Sequence, residues 1–437
     1  MSGFRDFFVL IVVMGSLPLI LSRPFLGVLM WSWLSYLNPH KLSWGFAREF
    51  PFAMLVALAT LAALLLTREE KKVPVNGITI LLLLFLFWML ITNITAFFPE
   101  LAWRQFDKVW KIFLMTFVVM MLAVSRERIQ ALVAVMALSL AFYGVKGGIF
   151  TLTSGGSYAV YGPGGTFIGG NNEIGLALIM TIPLLRYLQL QASARWAKQA
   201  CLLSMLLCFV SVVGTQSRGA FVAVLVMSLY LFFKSRGSLL LLVPMVAVGA
   251  FIYSFMPDSW HYRMSTIETY DQDASALGRI NAWKMAFNLA QDRLMGGGFD
   301  CFQGPVFGLY APVPWDVHDA HSIYFEVLGE HGFVGLALFL LLGLSGLLLA
   351  GRTIRLVGDD PQQRWLRDLA AMLQVALIGY AAAGLFLGLA YFDFYYALLA
   401  LIAVGHRIAT GDLRVTGLWK LEQAGSVLAR PGVAGHG

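Results

Sequence analysis

The chain has 437 residues, of which 59% are hydrophobic and only 13% charged, and its mean hydropathy of +0.75 excludes a water-soluble globular protein of this size. The net charge of +7 does not point to nucleic acid either, because most Lys and Arg stand in short connections between apolar runs, where they act as orientation signals. What remains is an integral membrane protein.

Two apolar stretches open the chain, Phe7 to Leu21 and Phe25 to Leu37, and both are shorter than the ~20 residues of a full span. No small-residue cleavage site follows the first, so it reads as membrane body and not as a signal peptide. Spans are then predicted at Phe50 to Thr67, Ile78 to Phe98, Val109 to Val124, Ile129 to Phe150, Glu173 to Leu190, Ala200 to Thr215, Ala220 to Phe233 and Leu239 to Met256. A long polar loop from Pro257 to His321 follows, and then spans at Ser322 to Ala350, Leu369 to Ala390 and Phe394 to Ile408.

Basic residues cluster at every second connection, at Arg68 to Lys72, Arg126 to Arg128, Arg195 to Lys198, Lys234 to Arg236, Arg352 to Arg367 and from Arg407 onward. That face is expected to be cytoplasmic. With both termini there the count is even. This gives an all-α polytopic membrane protein of about 12 transmembrane helices, with one of the two opening stretches at the surface or re-entrant. The division expected is an amino-terminal membrane region over 1–190, a membrane core over 191–408 that includes the loop 257–321, and a cytoplasmic tail over 409–437 whose composition predicts disorder. Within the loop, Ile280, Trp283, Phe287, Ala290 and Leu294 share one helical stripe, which predicts an amphipathic helix lying on the membrane or on the bundle.

The opposite face carries cations that orientation does not explain. Arg218 stands in a tight turn between two spans, Arg279 begins the amphipathic helix, and Arg104, Lys108 and Lys111 recur at helical spacing beside Trp103 and Trp110. An interfacial arginine offers a planar fork of donors to a phosphate and keeps its charge; the plain alternative is snorkelling to lipid headgroups. His321 closes the loop in His318-Asp319-Ala320-His321-Ser322 and has the chemistry of a general base, or of a capping histidine. His318 and Asp319 can hold that role or orient the base.

Glu326 and Glu330, four apart on the following helix, are candidates for proton movement or for capping. Gly296-Gly297-Gly298 lacks the preceding strand of a dinucleotide fingerprint and reads as a tight turn. Asp271 and Asp273 lack a third ligand, and Cys201, Cys208 and Cys301 form no framework, so no metal site is expected. The glycine-rich stretch Gly155 to Asn172 is either a connector or a source of backbone donors for a phosphate or sugar.

An ordered set of motifs lies between about Ala200 and Ala350: Ser217-Arg218-Gly219-Ala220, Gly278-Arg279 with Trp283, Gly296 and Gly298 with Phe302, and His321 followed by Glu330-His331-Gly332-Phe333-Val334-Gly335-Leu336. This set resembles the O-antigen ligase and O-antigen polymerase superfamily of bacterial envelope glycosyltransferases. The amino-terminal half, with Leu37-Asn38-Pro39-His40 and Trp103-Arg104, is similar to the portion found in exosortase-associated O-glycosylation ligases.

The resemblance implies a glycosyltransferase C-like fold in the bacterial inner membrane, with a periplasmic active site and no cofactor or metal. It implies inverting transfer of a glycan from undecaprenyl diphosphate, with Arg218 and Arg279 on the diphosphate and His321 activating the acceptor hydroxyl. His318, Glu330, Arg104 and Lys108 are supporting candidates. Ser322 stands where family members often have Asn. The acceptor expected is the lipid A core, with a protein Ser or Thr or another repeat unit as alternatives. Besides donor and acceptor, only membrane lipids are expected as partners. A transporter of lipid-linked sugars is the rival class, but such folds often show internal repeats, and none is visible.

Overall fold

A computed structural model describes residues 3–67, 71–234, 249–250, 253–265 and 274–411. The described residues form helices and no strand. In chain order they are α1 (Gly3–Ser22), α2 (Pro24–Tyr36), α3 (Phe52–Leu66), α4 (Gly77–Ile94), α5 (Pro99–Leu122), α6 (Arg126–Thr153), α7 (Asn171–Gln191), α8 (Arg195–Gly214) and α9 (Arg218–Lys234). The long loop carries α10 (Asp258–Ser265), α11 (Ala274–Asp292) and α12 (Gly304–Tyr310). Then come α13 (Ile323–Val357), α14 (Arg364–Ala383) and α15 (Asp393–Ala409). The predicted span Leu239 to Met256 lies mostly outside the described residues, and Asp271, Asp273 and the tail beyond Gly411 lie wholly outside them.

Local chemistry sets the helix starts. Asn76 accepts a hydrogen bond from the Thr79 amide and Ser125 from the Arg128 amide, which caps α4 and α6. Pro24 and Pro99 open α2 and α5, where the missing N–H costs nothing. Among the described residues, seven helices are long and apolar enough to cross a membrane: α1, α4, α6, α7, α8, α13, and α14 with its 3-10 extension to Phe386. α3 and α9 are apolar but shorter. Of the opening pair, α1 has 20 residues and α2 only 13, so α2 rises about 20 Å against a hydrocarbon thickness of about 30 Å.

The bundle is built around α15. Every residue from Asp393 to Gly405 is buried, which is what an all-round apolar helix does at the centre of a membrane fold. A smaller cluster under the loop joins Ala282, Met285, Ala286 and Leu289 of α11 to Phe302, Phe307 and Ala320.

That cluster shows which face of the predicted helix is packed on the bundle. The helix is present, but Phe287 and Leu294 of the stripe are exposed, and the buried face runs through Ala282, Met285, Ala286 and Leu289. In a fold surrounded by lipid, the large apolar side chains need not point inward, and small ones allow the close packing of α11 on α13.

Candidate active site

The loop that carries the histidines is held down by α11. Asn281 donates to the carbonyls of Val313 and Asp316 (2.8 and 2.9 Å) and accepts from the Val313 amide (3.0 Å). Two residues on, the Trp283 indole donates to the Ala320 carbonyl at 2.7 Å and stacks on Phe325 of α13, with the two rings 4.8 Å apart and nearly parallel. The peptide just before His321 is thereby held through its carbonyl. His321 itself has left-handed backbone, φ 42°, a conformation uncommon outside glycine.

His321 is half-buried and lines a cavity of about 180 Å³ together with Glu173, Asp300, Asp319, Glu326 and Glu330. The volume is below the roughly 300–1,000 Å³ of a pocket that encloses a whole small ligand, so it admits part of a larger one. Burial lowers the His321 pKa from its ordinary 6.5, and the Arg279 charge lowers it further, against the opposing pull of Asp319. The imidazole is therefore neutral near physiological pH.

Glu330 is fixed by a backbone clasp. Gly332 breaks α13 with φ 66° and ψ −171°. The Gly297 and Gly298 amides donate to the Gly329 and Glu330 carbonyls at 2.8 and 2.9 Å. The glycine triplet is thus a turn that docks on the break, as its context predicts. The clasp aims the Glu330 carboxylate at the Asp300 amide (2.8 Å) and the Tyr391 hydroxyl (2.5 Å), both of which donate to it. Glu326 accepts from the Ala390 amide at 3.0 Å. The carboxylates of this helix are thus tied to the turn before α15 and to the loop after the glycines.

None of the predicted cations lines the cavity, but Arg279, Arg104 and Lys108 act on its residues through their charge. Arg279 acts on His321 through its charge. Burial raises the Asp300 pKa, Lys108 and Arg104 oppose the rise, and Asp319 adds to it; the two exposed α5 cations thus act on the cavity wall, while Lys111 pairs with Asp107 at 2.6 Å. Arg218 opens α9, and the next residue, Gly219, lies so close to Phe386 that an added Cβ would come within 2.7 Å of it. Gly388, two residues beyond Phe386, lines the cavity. His318 is turned aside: its Nε2 is 2.7 Å from Asp316 Oδ1, and its ring fills the space over Gly278, where a Cβ would sit 2.4 Å from it.

Sequence reasoning singled out His321, Glu330 and the bordering cations, and it missed Glu173, Asp300 and Tyr391. Glu173 looked like the first residue of a span, and Tyr391 like part of a turn. Asp300 had one local signal, its place after a glycine turn, where its own φ is 54°.

Residues 4–192 match a family described as of unknown function (DUF5935), and residues 203–340 match the family described as O-Antigen ligase. No curated protein matches the chain. The second match contains the α9 turn, α11, the glycine clasp and the His321 loop, so it spans most of the side chains that meet at the cavity. The match over residues 203–340 supports the O-antigen ligase superfamily for this part of the chain and, with it, glycosyl transfer of the ligase or polymerase type.

Proposed function

We propose that this protein transfers a glycan from undecaprenyl diphosphate to the lipid A core, at the periplasmic face of the bacterial inner membrane. The observation that carries the reading is a neutral imidazole in an acid-lined cavity with arginine beside it. Carboxylates accept hydrogen bonds from sugar hydroxyls and repel phosphate. The sugar therefore belongs in the cavity and the diphosphate among the bordering cations, Arg218 and Arg279, with Arg104 and Lys108 placed to meet phosphates of the acceptor. A periplasmic cavity is supported by the basic connections at Arg126 to Arg128, Arg195 to Lys198 and Arg352 to Arg367, which lie at the other ends of the helices that frame it.

In the reaction, His321 takes the proton of the acceptor hydroxyl while that oxygen attacks the anomeric carbon. The bond from the anomeric carbon to the phosphate oxygen breaks on the opposite face, which gives inversion. The electron pair leaves with undecaprenyl diphosphate, whose growing charge the arginines stabilise; in this reading no metal is required. Glu330, locked between Asp300 and Tyr391, shapes the wall behind His321. The exosortase-associated type remains part of this reading on its amino-terminal motifs.

The pH profile tests the base. His321 works only when neutral and its pKa is lowered, so the acid limb of kcat/KM is expected below pH 6.5 with a plateau above it. Arg279→Gln removes a positive charge that disfavours the imidazolium, so the limb should move up in pH whatever happens to the rate. A wild-type limb above 6.5, or one that Arg279→Gln leaves in place, would overturn the assignment.

A further inference from the structure

α7 and α14 each connect the His321 end of the bundle to a second cavity. Glu173 and Gly388 stand at the first end, and Gln191 and Arg364 at the other. With about 1.5 Å of rise per residue, the 21 residues of α7 separate them by about 30 Å. This second recess, of about 560 Å³, is lined by Arg126, Arg186, Lys198 and Arg364 against a single carboxylate, Asp368.

The cations are held in place. The Arg186 guanidinium donates to the Gln189 side chain, which in turn donates to the Lys198 carbonyl at 3.0 Å. Arg126 reaches Gln191, and Gln191 donates to Asp368 at 3.2 Å. The Arg126 guanidinium also lies over the buried Trp365 ring, 5.6 Å from its centroid. Among the described residues none of the four cations has a carboxylate within salt-bridge distance. Arg126 and Arg364 are the first residues of α6 and α14, and Lys198 lies in the first turn of α8. Three helix N-termini thus add partial positive charge to the same recess.

Orientation in the membrane requires cations on this face but not their convergence on one recess. A site with three net positive charges calls for an anion. Residues 412–437 carry three basic and two acidic side chains, so the chain's own tail does not bring the negative charge. The outer face of α8 next to the recess is apolar and exposed at Trp196, Leu202, Leu203 and Leu206, which provides a track for acyl chains leading away from the cations.

We propose that this recess binds the phosphate headgroup of an anionic glycerophospholipid, with its acyl chains along α8. The proposal is independent of the reaction assigned to His321. It is tested by the thermal midpoint of the purified full-length protein in neutral detergent with phosphatidylglycerol, phosphatidylcholine or sodium pyrophosphate added.

Phosphatidylglycerol is expected to raise the midpoint and the other two to leave it nearly unchanged. The double variant Arg126→Gln/Arg364→Gln should lose most of that rise. Arg355→Gln, an exposed cation on the same face outside the recess, should keep it. If the double variant does not fold, the exposed Lys198→Gln is read in its place, with retained phosphatidylglycerol counted by native mass spectrometry, and it too should lose lipid. An equal rise in recess and control variants would show general surface attraction and overturn the site. A pyrophosphate rise matching that of phosphatidylglycerol would show a soluble-anion site and overturn the lipid.

Discussion

His321→Ala is expected to lower kcat for glycan transfer by about 10²- to 10⁴-fold, the usual worth of a positioned general base, while the lipid-linked donor still binds. The two halves of this expectation rest on different residues. Proton transfer depends on an imidazole held at the cavity by the Trp283 bond to the Ala320 carbonyl. In the proposed reaction donor binding depends on Arg218 and Arg279, which the substitution leaves intact.

His318→Ala is the control, because the His318 ring is occupied with Asp316 and Gly278. It should cost far less. Loss of donor binding in His321→Ala, or equal loss of rate in both variants, would contradict the assignment. A transporter of lipid-linked sugars would be little affected by either.

Gly332→Ala is expected to be strongly damaging. At φ 66° and ψ −171° the backbone lies in a region nearly confined to glycine, where strain alone costs about 1–3 kcal/mol. The added Cβ would also meet the Leu294 carbonyl oxygen at 2.2 Å. That oxygen belongs to the chain entering the glycine turn, which is itself clasped to Gly329 and Glu330. Relief requires the clasp to open, and opening it withdraws Glu330 from the Asp300 amide.

The thermal midpoint should therefore fall sharply and transfer should fall with it. Gly15→Ala in α1, with nothing within 4 Å of the new Cβ, should be close to neutral. A Gly332→Ala protein with wild-type midpoint and activity would show that the break in α13 does not position the site.

Much of the fold was legible because lipid imposes a simple rule. A run of apolar residues long enough to cross must be helical, so predicted spans such as Ile129 to Phe150 fall inside helices such as Arg126–Thr153. The rule carries no information on which side of a helix faces protein, since both neighbours are apolar. The α11 stripe left membrane and bundle open for that reason: Phe287 and Leu294 are exposed, while Ala290 of the same stripe is buried.

For the proposed site, charge at an unexpected position was the readable signal. It marked Arg218, Arg279, Arg104 and Lys108, and a pair of histidines at a loop end marked His318 and His321. The carboxylate wall was readable only in part: Asp319, Glu326 and Glu330 stood out near the loop end, but Glu173 and Asp300 come from the start of α7 and the glycine turn. Only the packing of α7, α13 and the turn before α15 brings them together.

The most direct test of the account is a reconstituted reaction of purified protein with an undecaprenyl diphosphate-linked glycan and lipid A core, in which both products are followed. The account predicts glycan joined to the lipid A core with inverted anomeric configuration, and one undecaprenyl diphosphate released per glycan transferred. Retention of configuration, or glycan appearing only on a protein or on a lengthened repeat while the lipid A core stays unmodified, would contradict it.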